Sequence, residues 1–394
     1  MIRLNGKRSQ NFLILSCALA LSLVLAEGLC RLLWTPTIWH DYYAADPVLH
    51  HRGKANVKSF QILPDGTRVN IRTNSLGLRD REVPKEKGKE LRLLVLGDSF
   101  TEAGTAPLEN TAAKILERQL NDKKVSPLPI RVINAGQVSY SPILEYLFLK
   151  NSLMKLEPDI VVLNLDMTDV QDDYIYSSIA DFDQNGLPVA VPKRDSKIWV
   201  KANYKPSKLF SWLHNNFYAV QLFEHLSHFE WNKRAANIIP GRLANDRLGP
   251  TRDGADYTPH YRKTFSYLLA IRSLLQEHRI PFLVFVYPHG HQTSGREWRE
   301  GRKAYAFEQD TTYTGSFFPF LAKACQQYRL HCYLLINEFR QYEGDELLFL
   351  PFNGHFSQAG EAFFANSMFQ AIVAGGYLKA YEGRADSTAD TEKK

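Results

Sequence analysis

Cysteine is scarce in this chain of 394 residues, which contains four. Cys17 and Cys30 lie inside an apolar N-terminal run, so only Cys325 and Cys332 remain outside it. The spacing typical of a metal-binding cysteine cluster is therefore absent. We expect no metal site of that kind, and no motif in the sequence indicates a cofactor.

A concentrated charge of one sign is also missing. The chain has 48 Lys and Arg against 42 Asp and Glu, a net charge of +6, and its basic residues are scattered along the sequence. No nucleic-acid recognition motif accompanies the aromatic residues, so we expect no nucleic-acid partner. The basic excess is typical of a solvated surface.

Long apolar runs are absent except for one, at residues 11–34. It is long enough to cross a bilayer as one helix. Arg3, Lys7 and Arg8 precede it, and the positive-inside tendency places them in the cytoplasm. We expect a single-pass inner-membrane protein with the bulk of its chain in the periplasm. A cleaved signal peptide is the alternative, but the run exceeds a typical signal core and no small-x-small site follows it.

Short apolar segments alternate with helical patterns after residue 90. Strands are predicted at 91–97, 130–136, 159–165, 281–287 and 331–337, and helices at 107–120, 142–156, 261–278, 316–328 and 357–373. This alternation predicts an α/β fold with a parallel, flavodoxin-like sheet between two helical layers.

The same pattern divides the chain into segments. Residues 1–35 form the cytoplasmic tip and the membrane anchor, and 36–90 form a periplasmic lead-in or cap. Residues 91–376 form the main domain, interrupted by an aromatic-rich insertion at about 174–258 that we place at the catalytic rim. Residues 377–394 are predicted to be a disordered tail.

A serine follows the first predicted strand of the main domain, in Gly97-Asp98-Ser99. Because functional groups of open α/β sheets collect where strands end, Ser99 is in the position of a nucleophile. Its own backbone N–H, near a helix N-terminus, is a candidate oxyanion donor. A helix-capping serine is the alternative, but the position directly after an apolar strand favours the nucleophile.

The next two strand ends carry further candidate donors. Gly136 follows the second strand and offers a backbone N–H, although a turn alone would also require this glycine. The loop at 166–173 contains Thr168 as a third candidate donor. Its several acids, Asp169 among them, would equally suit capping or cation binding.

A histidine near the C-terminus completes the set. His355 lies on a loop just before the last amphipathic helix, two residues after Asn353. A serine nucleophile needs a base that reaches its hydroxyl and a third group that orients the base. His355 and Asn353 are the candidates for these two roles.

Taken together, the motifs resemble the SGNH/GDSL hydrolase family. The segments GDSFTEAG, NAGQVSYSP and NGHFSQAG are similar, in order, to its nucleophile, glycine and histidine blocks. The resemblance covers roughly residues 72–373 apart from the insertion. It implies a three-layer α/β/α sandwich, with Asp98 and Asp169 as additional site residues. With the anchor and the segment RTNSLGLRDRE, it is similar to membrane-tethered bacterial members linked to envelope polysaccharide O-acylation.

The chain departs from the family pattern at two positions. Thr168 stands where the family has its oxyanion Asn, if Asp169 aligns with the following Asp. Asn353 or Phe352 stands where the family has an Asp upstream of the His. An Asn can orient the ring but supplies no charge to the imidazolium. In a serine protease, the corresponding Asp→Asn change lowers turnover by about 10⁴.

Two further residue pairs, one of histidines and one of cysteines, have structural interpretations. His289 and His291 have the spacing of a metal pair, but without an evident third ligand we interpret them as loop structure. Cys325 and Cys332 flank a predicted helix-to-strand turn, and we predict a disulfide between them.

The sequence thus predicts a serine acyl esterase or O-acyltransferase acting on an acylated envelope glycan, with polysaccharide-biosynthesis proteins as candidate partners. The main alternative is a weakly active or inactive protein that binds glycan or a partner. A phosphate-binding protein of flavodoxin type is disfavoured because no Gly-rich phosphate loop is present.

Overall fold

The computed structural model describes residues 6–33, 42–63, 65–192, 213, 217–220, 222–223, 248–252, 256–379 and 381. The chain divides into two compact units. One comprises residues 1–38 and 195–240, and the other comprises 39–194 and 241–394.

The first unit contains a long N-terminal helix, α1 (Gly6–Leu33). Its segment Gln10–Leu33 has a mean hydropathy of 2.2 and is entirely exposed, so by length and composition it can span a membrane. This bears out the predicted spanning helix at the level of length and composition.

The polar residues of α1 pair with each other and with the segment near residue 218. Arg31 Nε donates to Glu27 Oε1 at 2.7 Å, one helical turn away. The Glu27 carboxylate also accepts the backbone N–H groups of Tyr218 and Ala219, both at 3.0 Å. These contacts join α1 to the described residues near 218, and the placement of the insertion at the catalytic rim stays a prediction. Most of the predicted insertion lies outside the described residues.

The second unit begins with two small antiparallel hairpins in the predicted lead-in. The first pairs β1 (Tyr43–Asp46) with β2 (His50–Gly53), and the second pairs β3 (Lys58–Ile62) with β4 (Arg68–Arg72). Neither hairpin is predicted by the sequence pattern. Val69 and Ile71 alternate inward along β4 and build a small separate core with Tyr42 and Leu63.

The central sheet has five parallel strands in the order β11-β10-β7-β5-β6. This order places the first strand of the main domain beside the third, as in flavodoxin-like sheets, and creates a switch point between β5 and β7. The strands beyond the hairpins are β5 (Leu91–Leu96), β6 (Ile130–Asn134), β7 (Ile160–Leu165), the short pair β8 (Asp181–Phe182) and β9 (Pro188–Ala190), β10 (Phe282–Val286) and β11 (His331–Leu334).

Helices cover both faces of this sheet. In chain order they are α2 (Ser99–Glu102), α3 (Ala112–Asp122), α4 (Pro142–Asn151), α5 (Thr168–Ser177), α6 (Gly249–Arg252), α7 (Thr258–Glu277), α8 (Gly290–Thr293), α9 (Arg299–Ala304), α10 (Phe317–Tyr328), α11 (Ile336–Arg340) and α12 (Gln358–Ala374).

Successive side chains of the strands enter different cores. Leu94 and Leu96 of β5 join the core under α4, α7 and α10. Leu93 and Val95 of the same strand join the core under α3 and α12. Because β5, β7 and β10 are buried on both faces, their sequences are mostly continuous apolar runs, whereas the edge strand β11 is partly exposed. The predicted three-layer α/β/α architecture is confirmed.

Several predicted boundaries need correction. The strand predicted at 331–337 ends at Leu334, and the helix α11 follows it. Within the segment predicted as a tail, Leu378 and Tyr381 are buried, and the Tyr381 hydroxyl donates to Asp159 O at 2.9 Å. Residues 382–394 lie outside the described residues. The predicted disulfide between Cys325 and Cys332 is confirmed.

Candidate active site

The nucleophile candidate lies at the switch point of the sheet. Ser99 follows β5 and is the first residue of the short helix α2, with Asp98 as its N-cap. The Asp98 carboxylate accepts the backbone N–H of Phe100 at 2.8 Å, which fixes the turn out of the strand. Ser99 is half-buried, so its hydroxyl is held by a buried turn yet remains accessible.

The base candidate is within hydrogen-bond distance of this hydroxyl. His355 Nε2 lies 2.9 Å from Ser99 Oγ, although the two residues are far apart in the sequence. With Nε2 unprotonated, the serine hydroxyl donates to it, which is the arrangement needed for proton abstraction. The structure therefore brings together the two residues that the sequence motifs singled out.

A tight turn presents His355. The backbone N–H of Leu350 donates to His355 O at 2.8 Å, and Gly354 adopts a φ of +77° inside the turn. A side chain at Gly354 would be strained by this φ and would meet the indole of Trp298 at 2.9 Å. The glycine of the NGH motif therefore has a steric reason to be there.

Asn353 contributes to this turn through its side chain. Its Oδ1 accepts the backbone N–H of His355 at 3.1 Å, and the residue is exposed. The carboxamide oxygen is thus engaged with the backbone of the base. Its predicted role in orienting the imidazole ring stays a prediction. Phe352, the alternative position for an acid, instead packs against the small lead-in core.

Two of the predicted oxyanion donors, Gly136 and Thr168, already have acceptors within the protein. The Gly136 N–H donates to Asn134 Oδ1 at 3.0 Å. Thr168 donates to Asp166 Oδ1 through both its backbone N–H, at 2.5 Å, and its hydroxyl, at 2.6 Å. An incoming oxyanion would have to compete with these acceptors for the same protons. The assignment of these donors stays a prediction.

Gly136 also permits a close backbone approach. A Cβ there would lie 2.3 Å from Glu102 N and 2.7 Å from Thr101 C, and both atoms belong to the backbone of the nucleophile segment. The loop after β6 can therefore touch the end of α2 only with glycine at this position.

The lead-in braces the same segment from the other side. Arg79 is 1% exposed and donates to the backbone carbonyls of Glu102 and Ala103 at 2.7 and 2.6 Å. Asp80 accepts the backbone N–H of Asn134 at 2.7 Å and pairs with Lys114 at 2.6 Å. The segment RTNSLGLRDRE therefore holds the nucleophile turn and the glycine loop in place.

Sequence reasoning did not assign three residues that lie beside this dyad. His289 Nε2 is 3.1 Å from Asp166 Oδ2, and both residues are buried. The Tyr287 hydroxyl contacts Asp166 Oδ2 at 3.1 Å and Asp98 Oδ1 at 3.2 Å. All three follow β7 or β10, which pair in the sheet, so a predicted strand order would have brought them together.

The ring of Phe100 lies between the two histidines. It stacks on His355 with a centroid separation of 4.6 Å and meets His289 edge-on at 5.3 Å. An apolar ring separating two imidazoles keeps water from the space between them. Charges on either side of this ring are therefore poorly screened.

Burial and charge set the protonation of the base. His355 is partly exposed as a residue, but protein surrounds its imidazole ring. Burial of the ring disfavours the charged form and lowers the pKa of His355 to about 4. The positive charge of His289 lowers the pKa further, and the negative charge of Asp166 opposes both effects. His355 is therefore neutral at neutral pH and able to accept a proton.

The surrounding carboxyl groups differ in charge. Burial alone would raise the pKa of Asp166, but the charge of His289 and hydrogen bonds from His289 and Thr168 lower it to about 2. Burial, followed by the charge of Asp166, raises the pKa of both Asp98 and Asp169 well above the ordinary value. Asp166 is thus the ionised member of the group.

Metal-binding clusters and surface grooves are the other places where a ligand could bind. Within the described ranges, no group of three or more His, Cys, Asp or Glu residues is arranged to hold a metal ion. A groove of about 510 Å³ lies beside the Cys325–Cys332 disulfide. None of the candidate site residues lines it, so we do not assign it to the substrate.

No family model matches the chain, and no curated protein matches it. Among solved structures, the chain is similar to an acetyl xylan esterase at 15% identity, over 72% of this chain and 100% of the other, with a TM-score of 0.37. A lipase/acylhydrolase from Enterococcus faecalis overlaps at 13% identity, over 72% and 96%, with a TM-score of 0.38. A catalytic mutant of an acetylxylan esterase from Geobacillus stearothermophilus overlaps at 12% identity, over 73% and 96%, with a TM-score of 0.37.

Proposed function

We propose that this protein is a serine acyl esterase or O-acyltransferase acting on an O-acylated glycan of the cell envelope. The observation that carries the proposal is the 2.9 Å contact between Ser99 Oγ and His355 Nε2 at the carboxyl edge of a parallel sheet. A neutral histidine bonded to a half-buried serine hydroxyl is the core of an acyl-transfer site.

The chemistry follows from this pair. Ser99 Oγ attacks the ester carbonyl while its proton passes to His355 Nε2. The tetrahedral intermediate then collapses to an acyl-serine, and the His355 proton goes to the departing alcohol oxygen. The oxygen of water, or of a sugar hydroxyl in a transferase, next attacks the acyl carbon while its proton passes to His355. The bond from the acyl carbon to Ser99 Oγ then breaks, and Oγ takes the proton back from His355, which restores the free serine.

Oxyanion stabilisation would come from the Ser99 and Gly136 N–H groups together with Thr168. Gly136 and Thr168 are close to acceptors that an oxyanion would have to replace. Such donors stabilise the transition state most when they point at the developing negative charge in a site that excludes water.

Covalent labelling tests the nucleophile. We expect a fluorophosphonate probe to label the full-length protein in detergent or membranes, and Ser99→Ala to abolish the labelling. Ser266→Ala is the matched control, because Ser266 is exposed on α7 and its hydroxyl donates to the helix backbone at Lys263 O. Equal labelling of wild type and Ser99→Ala would contradict the proposal.

A second candidate function is glycan or partner binding with little turnover. The engagement of Asn353 Oδ1 with the backbone favours it, because the base then has no adjacent charged orienter on its own loop. In that case wild type and Ser99→Ala would bind an acetylated oligosaccharide equally and release no acetate. Acetate release by wild type alone would exclude it.

The substrate class and the location belong to the same proposal. They rest on the sequence resemblance and on α1, with its basic flank Arg3, Lys7 and Arg8. We propose that the catalytic unit faces the periplasm from the inner membrane, near polysaccharide-biosynthesis proteins. A C-terminal reporter that is active only in the cytoplasm would overturn this orientation.

A further inference from the structure

The first lead-in hairpin, β1–β2, docks on the loop that carries Gly136. This loop follows β6, and we call its residues 135–140 the glycine loop. The Val138 N–H donates to the Tyr43 hydroxyl at 2.9 Å, and His51 Nε2 donates to Val138 O at 2.7 Å. Both polar backbone groups of Val138 are therefore engaged by the hairpin, one from β1 and the other from β2.

Two more hydrogen bonds join the hairpin to the same loop. The Gly53 N–H donates to Gln137 Oε1 at 2.8 Å, and the Tyr140 hydroxyl donates to His51 O at 2.7 Å. Between them, Ser139 has a φ of +56°, a conformation that residues with side chains rarely adopt. Such a conformation persists where the surrounding contacts maintain it. The hairpin supplies these contacts on both sides of Ser139.

Tyr43 also reaches the short helix of the nucleophile. Its hydroxyl donates to Glu102 Oε1 at 2.9 Å, and Glu102 is buried. Glu102 is the last residue of α2 and Ser99 is the first, so the two lie one turn apart. Burial, followed by the charge of Glu102, raises the pKa of Tyr43 well above its ordinary value, and the hydroxyl keeps the proton that it donates. One hydroxyl therefore accepts from the glycine loop and donates to α2.

The relative position of the glycine loop and α2 matters for the proposed chemistry. Ser99 follows β5 and Gly136 follows β6, so contacts between the two loops set the distance between nucleophile and donor. Asn134 Nδ2 joins the loops just before Gly136, where it donates to Thr101 O at 2.7 Å. Tyr43 joins them just after it. An oxyanion donor is effective only at hydrogen-bond distance from the developing charge, so a small displacement of this loop lowers the rate.

We propose that Tyr43 is a positioning residue of the acyl-transfer site, which holds the glycine loop against α2 so that Gly136 keeps its place relative to Ser99. The proposal rests on the proposed function, in which the Gly136 N–H is an oxyanion donor. Tyr43 acts through Val138 and Glu102. The lead-in hairpin is then part of the framework of the active site.

Tyr43→Phe tests the proposal, because it removes the hydroxyl and keeps the ring. The Val138 N–H and Glu102 Oε1 both lose this partner, and a buried polar group without a partner favours a shift of the loop. With the full-length protein in detergent and p-nitrophenyl acetate, we expect kcat to fall about tenfold, less than the ~10²–10³ for the loss of a whole donor. KM should stay within about twofold.

Inhibition by trifluoroacetophenone gives a readout that a merely structural role would not change. Its ketone carbon bonds to Ser99 Oγ, the Oγ proton passes to His355, and the ketone oxygen becomes an oxyanion. In Tyr43→Phe the inhibition constant should rise by about the factor by which kcat/KM falls, because both depend on the oxyanion contacts. A smaller folded fraction would lower kcat and leave the inhibition constant unchanged.

The matched control is Tyr381→Phe. Tyr381 is a buried tyrosine whose hydroxyl donates to Asp159 O at 2.9 Å. Asp159 directly precedes β7, so this bond lies at the amino edge of the sheet, opposite the site. We expect Tyr381→Phe to keep the wild-type kcat and inhibition constant. An equal rise of the inhibition constant in Tyr381→Phe would contradict the proposal.

A second variant covers the case in which Tyr43→Phe does not fold by circular dichroism. His51→Phe removes the donor to Val138 O and leaves the Tyr43 hydroxyl in place. It releases the same residue of the glycine loop from the other strand of the hairpin. We expect the inhibition constant to rise and kcat to fall by the same factor, and an unchanged inhibition constant would overturn the proposal.

The outcomes separate the two proposals. If Ser99→Ala is as active as wild type, the proposed function fails. If Ser99→Ala is inactive while Tyr43→Phe keeps the wild-type kcat, or loses kcat with an unchanged inhibition constant, only the role of Tyr43 fails.

Discussion

Two histidine loops meet at the same edge of the sheet and differ in exposure and in charge. His355 is partly exposed, on a turn with the exposed and neutral Asn353. His289 is 8% exposed and lies against the fully buried, ionised Asp166. The two histidines therefore differ in what they contact: one meets the Ser99 hydroxyl, and the other meets a buried carboxylate that follows a different strand.

The largest expected effect comes from exchanging each histidine for glutamine. His355→Gln removes the group that accepts the Ser99 proton, so we expect ester hydrolysis to fall by about 10³-fold. His289→Gln should cost no more than about tenfold, because His289 contacts Asp166 whereas the Ser99 hydroxyl contacts His355. Initial rates with an activated acetyl ester measure both. A larger loss in His289→Gln would mean that His289 is the base.

The second expected effect concerns the pH at which kcat/KM declines on the acid side. His355 must be neutral to accept a proton, and its protonated fraction rises as the pH falls through its pKa of about 4. Activity should therefore persist through about pH 5 and decline near pH 4, well below the value of ~6.5 for an unperturbed histidine. A profile of kcat/KM from about pH 3.5 to 9 measures this. A decline centred near the unperturbed value would show that the enclosure of His355 is absent in solution.

The smallest expected effect comes from giving the exposed loop a charge of its own. Asn353→Asp keeps an oxygen for the His355 N–H and adds a carboxylate close to the base. We expect esterase activity to rise roughly twofold to fivefold, a modest gain because solvent screens an exposed carboxylate. Comparison with Asn353→Ala, which loses the turn contact, separates charge from turn geometry. A slower Asn353→Asp would indicate that another group orients His355.

The dyad was predictable from the sequence because each member sits in a local pattern. Ser99 directly follows an apolar strand, and His355 stands just before an amphipathic helix. The sheet itself was predictable for the same reason, since a strand buried on both faces is a continuous apolar run.

The pair of Asp166 and His289 could not be assigned in this way. Each residue has an ordinary local interpretation, as a helix-capping acid and as a loop histidine, and they meet only because β7 and β10 are neighbours in the sheet. The two lead-in hairpins were missed for a related reason. Their strands have only four or five residues, so even the alternation seen in β4 is too short to be a strong local signal.

The position of Phe352 has a consequence for the order of folding. This residue, three positions before His355, packs onto a core built by Tyr42, Leu63, Val69 and Ile71. The contact joins opposite ends of the catalytic unit, and closing such a long loop is slow compared with forming local structure. The base can take its place only after the C-terminal turn has docked on residues that emerged near the start of synthesis. The chain should therefore acquire the contact between Ser99 and His355 late, when nearly the whole polypeptide has already been synthesised.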